Sequence, residues 1–128
     1  MADEAILIVE DNLTNLKLAK LLLTAEGYDV RTAVDAEEVL KVLANFHPRL
    51  ILMDLQLPGK SGLELTQELK MDPRLKDILI VALTAYAMKG DKEKAMAAGC
   101  DGYITKPISA ANFTIEISQF LLLQAGIT

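Results

Sequence analysis

The chain has one cysteine, one histidine and no tryptophan. A single cysteine, Cys100, rules out an internal disulfide and suits a reducing compartment. Placed just after a helical stretch, it reads as a small buried residue. A single histidine, His47, leaves no histidine–cysteine cluster for zinc. It stands directly before Pro48, a position that disfavours the helix an exposed phosphohistidine needs. No apolar run reaches the roughly 20 residues of a membrane span. The first residues, Met1-Ala2-Asp3-Glu4, are acidic, whereas a signal peptide starts basic. Lys and Arg are scattered without forming a stripe, and the formal net charge is −5. Both facts weigh against nucleic acid and anionic lipid as partners. No linker or low-complexity segment interrupts the sequence. The expectation is one cytoplasmic domain over residues 1–128, with no output domain and no membrane attachment.

What is present is a set of short apolar runs, each ending on a polar residue. The run Leu50-Ile51-Leu52-Met53 ends on Asp54, and Pro58 and Gly59 follow in a loop. Residues 5–9, Ala-Ile-Leu-Ile-Val, end on Glu10-Asp11, and residues 78–83, Ile-Leu-Ile-Val-Ala-Leu, end on Thr84. Unbroken runs of this length read as strands buried on both faces of a parallel sheet. Residues 28–33 alternate polar and apolar, and residues 103–105 form a short run ending on Lys106-Pro107. Those two read as edge strands.

Helical periodicity fills the intervals. Asn12 is placed to cap a helix whose apolar face holds Leu16, Leu18, Ala19, Leu22, Leu23 and Ala25, and Gly27 stops it. Asp35 and Glu38 have the spacing of a capping box, followed by Val39, Val42, Leu43 and Phe46. Gly62 opens a third helix with Leu65 and Leu69, which Pro73 closes. A charged stretch from Ala87 to Ala98, with little to bury, reads as a short fourth helix. The last helix carries Phe113, Ile117, Phe120 and Leu121, and residues 125–128 look frayed. Five strands alternating with five helices imply an α/β fold, a parallel sheet covered on both faces. With right-handed crossovers the strand order is 2-1-3-4-5, so Asp11 and Asp54 face each other across the point where the order reverses.

That order gathers Glu10, Asp11, Asp54, Thr84 and Lys106 at one rim. Three carboxylates raise one another's pKa values unless a cation intervenes, and a hard divalent ion such as Mg²⁺ prefers oxygen donors. A carboxylate beside a metal can take up a phosphoryl group, with a lysine and a hydroxyl to bind its oxygens. Taken singly, each residue has a plainer role: Asp54 as a turn cap, Thr84 as a strand end, Lys106 as a solvated charge. Their joint placement carries the chemical reading. Gly59-Lys60-Ser61 imitates a phosphate-binding loop, but Asp54 occupies the place of the required first glycine.

These residues resemble the response-regulator receiver domain, and the resemblance extends over nearly the whole chain. It rests on Glu10-Asp11, Asp54 with Pro58 and Gly62, Thr84-Ala85 and Lys106-Pro107. The stretch from Leu83 to Asp91 is most similar to stand-alone receivers of the DivK type. The resemblance implies a flavodoxin-like receiver fold with Asp54 as phosphoacceptor. It implies Mg²⁺ held by Asp11, Asp54 and the Gln56 backbone carbonyl, with Glu10 reaching it through water. Thr84 and Lys106 are then the phosphoryl contacts, Tyr103 the aromatic switch partner of Thr84, and Ala85 the small residue that leaves room for it. It further implies a histidine kinase or histidine phosphotransfer protein as donor, and a downstream protein bound through the fourth helix, last strand and last helix. Gln56 and Tyr86 stand at positions where family members vary. Two other readings stay open. One is a Mg²⁺-dependent phosphatase with an aspartyl-phosphate intermediate, although Gln56 stands where such enzymes usually carry a second acid. The other is a docking module that never gains phosphate.

Overall fold

The computed structural model describes residues 4–84, 90–106 and 108–124. Five strands, β1 (Ala5–Val9), β2 (Asp29–Ala33), β3 (Leu50–Asp54), β4 (Leu79–Thr84) and β5 (Gly102–Thr105), form one parallel sheet in the order β2-β1-β3-β4-β5. Five helices alternate with them: α1 (Leu13–Ala25), α2 (Ala36–Leu43), α3 (Gly62–Met71), α4 (Asp91–Ala98) and α5 (Ala110–Gln124).

The apolar runs are continuous because each central strand feeds two cores. Successive side chains point to opposite faces of a sheet. Ile6, Ile8, Leu50, Leu52, Val81 and Leu83 pack with residues of α1 and α5. Leu7, Val9, Ile51, Met53, Ile80 and Ala82 pack with residues of α2, α3 and α4. The alternating strand β2 and the short β5 are the edges, as their patterns require. Cys100 is buried and its thiol lies 4.0 Å from the Thr66 hydroxyl, while His47 is exposed in a loop.

Local differences from the sequence reading have identifiable causes. Leu18 and Ala25 are exposed, because α1 buries only the narrower stripe of Leu16, Ala19 and Leu23. Asp35 caps α2 by accepting from the Glu38 N–H at 2.9 Å, but the Glu38 carboxylate accepts from Val34 N–H instead of closing the box on Asp35. The complete capping box belongs to α3, where Ser61 and Glu64 accept from each other's backbone N–H. Strand bounds shift by one residue: β3 takes in Asp54, and β4 starts at Leu79 and takes in Thr84. Of the expected fourth helix, Asp91–Ala98 is helical, burying Ala95 and Ala98 and ending at the left-handed Gly99; Ala87 to Lys89 lie outside the described residues, as do the chain's last four.

Candidate functional site

Two strand ends meet where the strand order reverses. β1 stops at Val9, so Glu10 and Asp11 emerge beside the end of β3, which carries Asp54. Glu10 and Asp54 are 1 % and 2 % exposed, whereas Asp11 opens to solvent. Carboxylate oxygens of the three lie within 4.8 Å of one another.

Lys106 enters from the end of β5. Its Nζ is 2.8 Å from Glu10 Oε1 and donates to Asp54 Oδ2 at 3.3 Å. The other oxygens are held by backbone: Asn12 N–H donates to Glu10 Oε2 at 3.2 Å, and Gln56 N–H to Asp54 Oδ1 at 2.9 Å. One ammonium thus serves two buried carboxylates, with a third beside them. The imbalance appears in the protonation of Glu10. Burial, then its hydrogen bond with Asp54, push its pKa from 4.5 to about 7, although Lys106 and the Asn12 N–H pull the other way. Burial opposes the charge of Lys106 too, but Glu10 and Asp54 override it and raise its pKa. An all-oxygen donor set short of positive charge fits a hard divalent cation. Asp11, Asp54 and Glu10 are the side chains that would hold it.

Thr84 is buried at the end of β4, and its carbonyl accepts from the Lys106 backbone N–H at 2.7 Å. Tyr103 is half-buried on β5 against the α2–α4 core. Burial, then the acids Asp91 and Glu93 of α4, raise the pKa of its phenol. Gln56 is exposed in the loop after β3. Ala85, Tyr86 and Pro107 lie outside the described residues. The structure therefore brings Glu10, Asp11, Asp54 and Lys106 together directly, with Thr84 at the adjoining strand end. Tyr103 stands further along the neighbouring strand.

Gly62 has a part at this rim that its reading as a helix start did not capture. Its N–H donates to Leu55 O at 3.2 Å, and a Cβ added there would lie 2.3 Å from Asp54 O and 2.8 Å from Leu55 Cα. The start of α3 thus presses on the backbone that carries Asp54. The sequence does hold a signal. Glycine disfavours a helix by about 1 kcal/mol relative to alanine, so glycine directly after a serine cap points to a close approach.

Residues 6–118 match the response regulator receiver domain, most of the chain, and the protein belongs to that family of two-component signalling modules. Among individual proteins it is 46 % identical over 118 residues to the polar-differentiation response regulator DivK of Brucella ovis, covering 92 % of this chain and 96 % of that one. Its fold superposes with a TM-score of 0.86 on the chemotaxis response regulator CheY4 of Vibrio cholerae, at 25 % identity over 94 % of this chain and 99 % of that one. It does so with a TM-score of 0.82 on the receiver domain of a Pseudomonas aeruginosa sensor histidine kinase, which has a magnesium ion coordinated in its active-site cleft. That match is 32 % identical and covers 98 % of this chain and 99 % of the other. Among the described residues no helix is long and apolar enough to cross a membrane.

Proposed function

We propose that the chain acts as a cytoplasmic response regulator, residues 1–128 forming one receiver with Asp54 as its phosphoacceptor. The observation that carries this is the Lys106 ammonium held between two buried carboxylates, Glu10 and Asp54, with Asp11 beside them. An Asp54 carboxylate oxygen forms the new bond to phosphorus, and the donor's bond to phosphorus breaks with its electron pair leaving on the donor. A histidine kinase or histidine phosphotransfer protein is the donor. Asp11, Asp54 and the Gln56 carbonyl would hold Mg²⁺, with Glu10 through water, and the bound ion would supply charge neutralisation for the transferred group. Lys106 binds one phosphoryl oxygen and the Thr84 hydroxyl another. On this reading the protein catalyses only its own phosphorylation and dephosphorylation. Thr84 and Tyr103 carry the change outward, to a downstream protein on α4, β5 and α5, by shifting an existing two-state equilibrium.

The test is intact mass after incubation with acetyl phosphate and Mg²⁺, for wild type and Asp54→Ala. The expected result is one phosphoryl group that requires Mg²⁺, is absent from Asp54→Ala and is removed by hydroxylamine, which cleaves acyl phosphates. Addition that persists in Asp54→Ala would mean another acceptor. Sustained hydrolysis of phosphomonoesters would mean an enzyme.

Lys106→Ala separates acceptance from response. It is expected to gain phosphate while amide resonances of α4, β5 and α5, which move on phosphorylation of the wild type, stay in place. Full movement of those resonances in the variant would exclude a switching role for Lys106.

A further inference from the structure

Cations that are scattered in sequence converge at the open edge of the sheet. A groove of about 400 Å³ runs along β2, lined by Lys20 of α1, Val30, Arg31 and Thr32 of β2, and Lys41, Val42, Asn45 and Phe46 from α2 and the turn after it. Its lining holds three cations and no carboxylate, in a chain of net charge −5. Arg31 and Lys41 do have acidic neighbours, Asp29 at 3.5 Å and Glu37 at 3.3 Å. Both pairs are solvent-exposed, and exposed pairs contribute little, so a partner's carboxylate can replace the acid at small cost. The Arg31 guanidinium carbon lies 4.7 Å from the Phe46 ring centroid, which holds that charge over an apolar surface.

The backbone of β2 adds a second, directional set of groups. Asp29 N–H donates to Glu4 O at 3.0 Å, and Ala33 O accepts from Glu10 N–H at 3.0 Å, so these residues turn their peptide groups inward to β1. Parallel pairing alternates. Val30 and Thr32, between them, therefore turn N–H and C=O outward, into the groove.

We propose that this edge is a docking site for an extended acidic peptide segment of a partner protein, added to the sheet as a sixth strand beside β2. Its backbone pairs with Val30 and Thr32. Carboxylates on one side meet Lys20, those on the other meet Arg31 and Lys41, and apolar side chains lie on Val30, Val42 and Phe46. Strand addition of this kind takes its affinity from main-chain bonds and its selectivity from the flanking side chains. A nucleic-acid strand shares the negative charge but offers no alternating amide donors and acceptors. A long polyanion must also pass the protein's excess acid. The site lies apart from the acid rim and does not depend on phosphorylation.

The probe is a fluorescein-labelled peptide repeating Glu-Glu-Val-Val, which sets carboxylates and apolar side chains on both faces of a strand, about eight residues long, followed by anisotropy at about 0.1 M salt. Binding is expected, with Val30 and Thr32 amides gaining protection from hydrogen exchange. N-methylation of alternate peptide nitrogens and the protein variant Lys20→Glu/Lys41→Glu should each weaken it by roughly tenfold or more. Arg74→Glu/Lys76→Glu in the stretch after α3, which alters net charge equally, should leave it unchanged. No binding, equal weakening by that control variant, or equal binding of the N-methylated peptide or of oligothymidylate would each overturn the proposal.

Discussion

Gly62→Ala is expected to leave the sheet folded and to slow phosphoryl uptake from acetyl phosphate by about a hundredfold or more. The added methyl would lie 2.3 Å from Asp54 O, where ordinary contact begins near 3.4 Å. The atoms it meets are backbone, so the loop after β3 must retreat by about 1 Å. A displacement of that size at a reacting centre is enough for the stated loss. The effect on stability is smaller and mixed. Overpacking costs about 1–3 kcal/mol, while alanine returns about 1 kcal/mol of helix propensity. Leu65→Ala provides the comparison. Leu65 is fully buried on the same helix, and its truncation removes about 2–5 kcal/mol without touching the Asp54 backbone. It should accept phosphate at nearly the wild-type rate where both proteins are folded. If Gly62→Ala reacted within a few-fold of wild type, or if Leu65→Ala were equally slow, the close approach at Gly62 would have no part in the chemistry.

The second large effect concerns acidity. In the metal-free protein, stability is expected to fall as the pH rises from about 4.5 to about 7 and then to level off. The sign follows from Glu10. Its pKa is raised in the folded chain, so across that window the native state holds a proton that the unfolded state has released. Stability is therefore fully present below the ordinary pKa and is lost as the pH passes the folded one. The 4.5-to-7 shift corresponds to about 3 kcal/mol. Mg²⁺ should reverse the trend, because a cation bound among the carboxylates takes over the role of the proton and stabilises the folded state by mass action. Urea unfolding at several pH values, with EDTA and with saturating Mg²⁺, measures both. Parallel curves in the two conditions would rule out this coupling. Glu10→Gln should abolish the slope in EDTA.

The sequence carried the arrangement of strands because burial on two faces and burial on one leave different patterns. Leu50 to Met53 read as central since both of its faces feed a core, and Asp29 to Ala33 as an edge since it alternates. The acids, the hydroxyl and the lysine were legible for a related reason: each stands at the end of such a run, and topology fixes which ends adjoin. Features that arise between elements were not legible. Leu18 and Ala25 fit the periodicity of α1, but the width of its buried stripe depends on what packs against it. Nothing local distinguishes Glu38, which reached past Asp35 to Val34, from Glu64, which closed its box. Lys20, Arg31 and Lys41 looked scattered because no period connects a helix, a strand and the next helix, although the fold sets them around one groove.

The strand ends at the acid rim are stitched crosswise. Leu55 N–H donates to Leu83 O at 3.2 Å, and Lys106 N–H to Thr84 O at 2.7 Å. Mechanically, this makes three neighbouring strand ends into one linkage. A pull on the Thr84 carbonyl reaches the Lys106 backbone through their hydrogen bond, and any slackening after Asp54 reaches β4 through Leu83. The two proposed phosphoryl contacts, Thr84 and Lys106, thus share one backbone hydrogen bond, and the expected route of the proposed switch runs sideways across the sheet before it runs along any helix.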